Sequence, residues 1–158
     1  MGRETTPKPA DRIEEFERLI GYHFTDRKLA QKALTHTSYA NEKLEDKAFN
    51  NERLEFLGDS ILGAIVASTA FHRFHDLDEG GLTRIKVALV SGASLSEVAE
   101  KLGFADVIVF GSSETGTGRR GLHSALENVY EAVVAALFLD GGIDAAWVFV
   151  DRTLITDR

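Results

Sequence analysis

Carboxylates recur on one side of the segment 51–60, which reads NERLEFLGDS. At helical spacing Glu52, Glu55 and Asp59 fall at i, i+3 and i+7 and therefore share one face. Surface helices commonly place Lys or Arg four residues after an acid, because neighbouring like charges repel by a few tenths of a kcal/mol. Glu55 is instead followed at i+4 by Asp59. Such a pair indicates either a divalent cation with oxygen ligands or a solvated acidic face.

The acids can meet in this way only if their segment is a helix. Its apolar positions recur at i, i+3, i+7 and i+11, and they are Leu54, Leu57, Ile61 and Ile65. We therefore predict a helix that continues to about Phe74, with one apolar face and one acidic face. Phe56 lies off the apolar face, which indicates either a partner surface or packing beneath the 36–50 segment.

The other periodic segments also predict helices. They cover residues 11–20, 25–34, a stretch from 82, a stretch opened by a capping box at 94–97, 122–139, and 143–154, with Gly21 and Gly103 as expected C-terminal stops. The last helix is expected to pack on the core through Ile143, Trp147, Val150 and Leu154. Residues 35–50 and 103–121 are expected to be loops, the second one mobile, and 76–81 a turn. The only strand-like stretch is 107–110, so the predicted fold is all-α.

Length and composition exclude several classes of protein. A chain of 158 residues fits one domain over 11–158, preceded by a polar, disordered tail over 1–10. The absence of cysteine excludes disulfides and thiolate chemistry, and no glycine spacing fits a nucleotide cofactor. His72 and His75 lack a third ligand, so we expect ordinary surface histidines. Without a secretory signal or a run of about eighteen apolar residues, we expect a soluble cytoplasmic protein with no membrane partner.

Three stretches together resemble the ribonuclease III family, the endonucleases that cut double-stranded RNA. NERLEFLGDSILG at 51–63 matches the family signature essentially letter for letter. ALTHTSYANE at 33–42 resembles the stretch before the signature, and EAVVAALFLDGG at 131–142 resembles the last metal-binding helix of the family. The resemblance extends from about Phe16 to the C-terminus, and it implies a single helical endonuclease domain that forms a homodimer.

The resemblance also implies the residues of the active site. The metal-binding positions are Glu55, Asp59, Asn128 and Glu131, with Asp59 and Glu131 as the catalytic pair. Asn128 stands where most members of the family carry aspartate. An amide oxygen can bind magnesium but brings no charge, so the expected consequence is a weaker site or a changed metal preference. Glu127, about 100° around the helix from Asn128, offers partial compensation without being an expected direct ligand.

The implied reaction is hydrolysis of duplex RNA with Mg²⁺ or Mn²⁺, leaving 5′-phosphate and 3′-hydroxyl ends and short 3′ overhangs, in the processing of ribosomal and other structured RNA. In the implied homodimer the signature helices meet across a two-fold axis, with Phe56 at the interface and Glu52 at the interface or on the valley floor. Glu79 matches an acid that the family keeps near this valley, although a solvated turn acid explains it as well.

The charge of the chain requires an explanation in an RNA-binding protein. The net charge of −7 opposes binding to a polyanion, but bound divalent ions reverse the local sign at acidic positions. Arg119 and Arg120 precede a predicted helix start and indicate either a phosphate contact or an ordinary flexible loop. Two further interpretations remain: a weak or silent member of the family that binds structured RNA, favoured by Asn128, and an acidic protein-interaction domain, which leaves the signature unexplained.

Overall fold

Seven α-helices account for most of the chain in the computed structural model, which describes residues 9–112 and 119–156. The helices are α1 (Pro9–Ile20), α2 (Arg27–Leu34), α3 (Thr37–Lys43), α4 (Glu52–Arg73), α5 (Glu79–Val90), α6 (Gly92–Leu102) and α7 (Arg119–Val150). A short 3₁₀ helix covers Phe104–Asp106, and π-helical turns over Asp151–Ile155 continue α7. Within those two ranges no strand forms, and extended backbone pairs only in an isolated parallel bridge between Thr35 and Val109. The all-α prediction is confirmed.

α7 is the central helix, and α4 packs along it. Their shared core contains Leu62, Ile65, Val129 and Val133, each 1% exposed or less. By length and composition alone, the helical stretches Glu52–Arg73 and Gly121–Ile155 could each cross a membrane, with mean hydropathies of 1.4 and 1.8. The core covers part of these stretches, of which 33% and 44% are buried.

Gly58 lets α4 and α7 touch backbone to backbone. A Cβ atom at Gly58 would lie 1.7 Å from the carbonyl oxygen of Glu131, far inside any possible contact. The two helices can therefore approach this closely only because position 58 has no side chain. The close approach brings Glu55 and Asp59, which flank Gly58 on α4, beside Glu131 on α7.

The buried face of α4 differs in part from the predicted stripe. Leu54 and Ile65 are buried, but Leu57 and Ile61 are only partly covered. The buried positions are Leu54, Gly58, Leu62, Ile65, Val66 and Ala70. The face is displaced because α4 is covered by both α7 and α5, and its centre therefore lies between these two neighbours. The predicted end of the helix near Phe74 is confirmed, since Phe74 is the C-cap.

Local capping interactions correct three predicted boundaries. Residues 35–50 were expected to be a loop but contain α3, whose first turn is capped by the His36 side chain. The N-cap of α6 is Ser91, whose hydroxyl accepts from the Ser94 amide at 3.1 Å, so the capping box expected at 94–97 is wrong. α5 begins at Glu79, three residues earlier than expected, because Asp78 accepts from the Gly81 amide and caps it.

The segment after Gly103 is more ordered than expected where it is described. Phe104, Val107 and Ile108 are buried. Gly111 donates its amide to Ser38 Oγ at 2.9 Å, and the Ser112 hydroxyl donates to Glu42 at 2.6 Å, so α3 holds this stretch. The rest of the predicted mobile loop, residues 113–118, lies outside the described residues.

Two predictions about the ends of the chain also change. The predicted disordered tail lies outside the described residues over 1–8, while residues 9 and 10 belong to α1. Ile143 was expected to face the core but is 41% exposed. The reason is Gly142, whose φ of 80° kinks α7 and rotates the next turn outward. Beyond the kink, Val150 and Leu154 are buried as expected.

Candidate metal centre

The sequence-predicted acids Asp59 and Glu131 meet where α4 crosses α7. Glu131 is only 8% exposed, and its carboxyl group is hydrogen-bonded to that of Asp59, which reaches the surface. Burial, this hydrogen bond and the charges of Asp59, Glu55 and Glu127 raise the pKa of Glu131 to about 8. Two carboxyl groups can share a hydrogen bond only if one of them holds a proton. Burial and the neighbouring negative charges therefore favour the protonated form of Glu131.

Glu55 completes a second facing pair with Glu127. Glu55 is half-buried, and its pKa is raised first by burial and then by the charge of Glu127, ahead of Glu52 and Asp59. Along α4 the two acids are Glu55 and Asp59, and along α7 they are Glu127 and Glu131, each pair at i and i+4. Two pairs of carboxyl groups thus line the crossing of the two helices, and no salt bridge among the described residues neutralises any of them.

Glu127 is the residue that the sequence prediction undervalued. Its carboxylate packs against the start of α6, where a Cβ atom at Gly92 would lie 2.7 Å from Oε1. Because Gly92 has no side chain, there is room for the Glu127 carboxylate. The signal was present in the sequence, because Glu127 stands four residues before Glu131 just as Glu55 stands four before Asp59. Asn128, the predicted ligand, is half-buried one residue further along α7.

The donor set suits a hard divalent cation, although the side chains are not gathered around one. Among the residues that the structure describes, no three side chains of His, Cys, Asp or Glu are close enough together to hold a metal ion as they stand. The oxygen donors and the excess negative charge fit magnesium or manganese. Asp59 and Glu131 are the pair best placed to hold such a cation, and the Glu55 side chain would have to move to join them.

The remaining predicted residues lie apart from this centre. Phe56 is 80% exposed, which excludes its packing beneath the 36–50 segment, and Glu52 is exposed on the same helix. Glu79 is exposed at the far end of α4, about 20 Å from Asp59 at 1.5 Å per residue, so one chain alone does not bring them together. Arg119 and Arg120 were expected to precede a helix starting at Leu122, but α7 begins at Arg119 and includes both of them. Their side chains lie outside the described residues.

The histidines His72 and His75 lie on the surface at the C-terminal end of α4. His72 Nδ1 lies 2.8 Å from the Ser68 carbonyl oxygen on its own helix, and both histidines are exposed. An imidazole that caps its own helix in this way is a local surface interaction. The acids of α4 and α7 therefore remain the best candidate for a metal-binding site.

Comparison with known proteins gives a consistent result. A family described as Ribonuclease-III-like matches residues 26–158. The chain is 50% identical over 135 residues to Ribonuclease 3 of Symbiobacterium thermophilum, covering 85% of this chain and 56% of that protein. It is 37% identical over 149 residues to Ribonuclease 3 of Halalkalibacterium halodurans, covering 94% and 57%. The chain thus spans little more than half the length of the curated relatives it matches.

Solved structures agree with the sequence comparisons. The nuclease domain of ribonuclease III from Campylobacter jejuni, described for flexibility in a region involved in dimer formation, superposes with a TM-score of 0.82. It is 35% identical, and the match covers 92% of this chain and 96% of that one. A Giardia Dicer structure shares the fold with a TM-score of 0.71 at 21% identity, covering 94% of this chain and 19% of that one.

Proposed function

Since this chain belongs to the ribonuclease III family, we propose that it is the nuclease part of a metal-dependent endoribonuclease that cuts double-stranded RNA. The products would be 5′-phosphate and 3′-hydroxyl ends with short 3′ overhangs, and the setting would be cytoplasmic processing of ribosomal and other structured RNA. The observation that supports this most directly is the facing pair of carboxyl groups, Asp59 and Glu131, where α4 touches α7.

The residues of this chain would divide the work as follows. Asp59 and Glu131 would hold Mg²⁺ or Mn²⁺, with Glu55 and the Asn128 amide oxygen as further ligands. A divalent ion held there supplies a water of lowered pKa and stabilises charge on the attacking and leaving oxygens. Glu127 would add negative charge beside the ligands without being one of them. No protein nucleophile is needed, which agrees with the lack of cysteine.

Cleavage of a long, end-labelled RNA duplex at low salt tests the proposal. We expect cutting with Mg²⁺ and with Mn²⁺, none with a chelator, and none of a single strand of the same sequence. The ends are checked by phosphatase sensitivity and by ligation. If folded protein binds the duplex but neither metal supports cutting, the catalytic proposal is wrong. The silent RNA-binding member, which the uncharged Asn128 and the ungathered acids favour, then takes its place.

Restoring a charge at Asn128 should strengthen the site. We expect Asn128→Asp to bind Mg²⁺ about tenfold more tightly, because affinity for a hard cation rises with the number of charged ligands, and Glu127→Gln to bind it more weakly. Titration calorimetry and the thermal shift produced by Mg²⁺ measure this without any cutting. Equal Mg²⁺ affinity in Asn128→Asp and the unaltered protein would remove Asn128 from the ligand set.

A homodimer is part of the proposal. Phe56 is the most exposed of the large apolar side chains on α4. Phe56→Ala should leave the fold intact, because the side chain is 80% exposed, but should weaken the dimer. The loss of a buried aromatic anchor, about 2 kcal/mol, corresponds to roughly a 30-fold higher dissociation constant. Sedimentation velocity over a dilution series measures it. Val148→Ala, which removes an apolar side chain that is 65% exposed on α7, is the control, and equal weakening by both variants would count against Phe56.

A further inference from the structure

Lys86 lies beside the metal centre on a helix that neither the family signature nor the acids include. It belongs to α5, is half-buried, and runs along α4 at Gly63. A Cβ atom at Gly63 would lie 3.5 Å from Lys86 Cε and 3.6 Å from Nζ. Gly63 follows Asp59 by four residues, which is about 6 Å along the helix and about 40° around it. The Lys86 ammonium group therefore stands one helical turn from the catalytic pair, on nearly the same side of α4.

The ammonium group has no partner among the described residues. The salt bridges there join Arg18 to Glu15 and His23 to Glu17, and no described side chain accepts a hydrogen bond from Lys86. Lysine side chains usually lay their methylene stem on the surface and extend the charge into water. Lys86 instead keeps its charged end near α4, where the absence of a side chain at Gly63 leaves it room. Its positive charge remains available to a ligand at the rim of the site.

The chemistry of the surroundings selects that ligand. The neighbouring acids carry the metal in the proposed function, so they are neutralised when the site is loaded. A substrate whose phosphates approach a protein of net charge −7 still needs cations close to the reacting group. A lysine one turn from Asp59, without a carboxylate partner, meets this need. An ammonium group binds a phosphate as a point charge with three donors, and it does not read the base.

We propose that Lys86 binds a backbone phosphate of the RNA strand next to the phosphodiester that is cut, and so positions the strand at the metal centre. This inference rests on the proposed function. It makes Lys86 a positioning residue that takes no part in the bond change itself.

The test compares Lys86→Met and Lys86→Arg with Arg84→Met. Arg84 is the matched control, because it lies on the same helix, is exposed, and turns its guanidinium group back toward Gly80 of its own helix. Steady-state cutting of a duplex gives KM and kcat, and binding with Ca²⁺ in place of Mg²⁺, over a range of salt concentrations, gives the salt dependence. We expect Lys86→Met to raise KM about tenfold with little change in kcat, and to lower the salt slope by about one. Lys86→Arg should restore both values, and Arg84→Met should change neither.

The outcomes separate the two proposals. If the unaltered protein cuts the duplex but Lys86→Met leaves KM and the salt slope unchanged, Lys86 contacts no phosphate and the inference is wrong. If Lys86→Met dissociates the dimer in sedimentation, the lysine pairs with the partner subunit and the inference is also wrong. Failure of the unaltered protein to bind or cut the duplex refutes the proposed function first and this inference with it. Lys86→Gln repeats the test if the methionine variant melts early.

Discussion

Replacing Gly58 with alanine is expected to push α4 away from α7 or to unfold the protein, and in either case to abolish cutting. The added Cβ atom would meet the Glu131 carbonyl oxygen at 1.7 Å and its carbonyl carbon at 2.6 Å. Both atoms belong to the backbone of the central helix, so no side-chain rotation relieves the clash. Overpacking of this kind costs about 3 kcal/mol or more, which for a chain of 158 residues lowers Tm by roughly 10 °C.

Gly63→Ala is the control for this prediction. It makes the same change five residues later in the same helix, but its Cβ atom would meet only the end of the Lys86 side chain, at ordinary contact distances of 3.5 Å to Cε and 3.6 Å to Nζ. Alanine favours a helix over glycine by about 1 kcal/mol, so this variant should be as stable as the unaltered protein or slightly more so. Thermal unfolding followed by circular dichroism measures both variants. If Gly58→Ala and Gly63→Ala have the same Tm, α4 does not pack on α7 as described.

Glu131→Gln should remove cutting while preserving the fold. The substitution keeps the size of the side chain but removes the charge that holds the metal, so we expect a loss of about 4 kcal/mol of transition-state stabilisation, roughly a thousandfold in rate. Single-turnover cleavage with saturating Mg²⁺ measures it. Glu100→Gln is the control, because Glu100 is an exposed acid on α6. A Glu131→Gln protein that cuts within tenfold of the control would exclude Glu131 from the catalytic pair.

The same variant has a second expected effect, on stability without metal. The pKa of Glu131 is about 8 in the folded protein against a reference value of 4.5. Between these values the folded state holds a proton that the unfolded state has released, so stability falls as pH rises from about 4.5 to 8. The loss is on the order of a few kcal/mol, since Glu131 is 8% exposed. In Glu131→Gln this part of the pH dependence should vanish, and denaturant unfolding at pH 5 and pH 8 measures it.

Periodicity in the sequence was enough to find the helices that carry the site. Apolar residues repeat at helical spacing on both helices, which predicts a buried face on each. Examples that the structure buries are Leu54 and Ile65 on α4 and Val129 and Val133 on α7. The spacing of Glu55 and Asp59 likewise brought the acids to one side of a helix.

What the sequence did not reveal depends on contacts between distant residues. The group that approaches Gly58 closely is the Glu131 carbonyl, which lies 73 residues away in the sequence. A glycine in a sequence does not by itself indicate which residue packs against it. Ser91 rather than Ser94 caps α6 because both serines fit the local pattern and only the path of the chain out of α5 decides between them. The effect of Glu127 on the pKa of Glu55 depends on its position opposite Glu55 on another helix, which the sequence alone does not show.

The position of α7 at the centre of the fold, after α1 to α6 in the sequence, affects how the domain folds during synthesis. Helices α1 to α6 end at Leu102 and leave the ribosome first, but the surface that buries their apolar side chains belongs to residues 119–155. Contacts between such distant residues form late, because the loop entropy must be lost before they do. During synthesis α4 therefore waits with an uncovered apolar face, a state prone to aggregation. Glu131 joins Asp59 only once α7 has been added, so the two acids of the candidate metal centre come together late in folding.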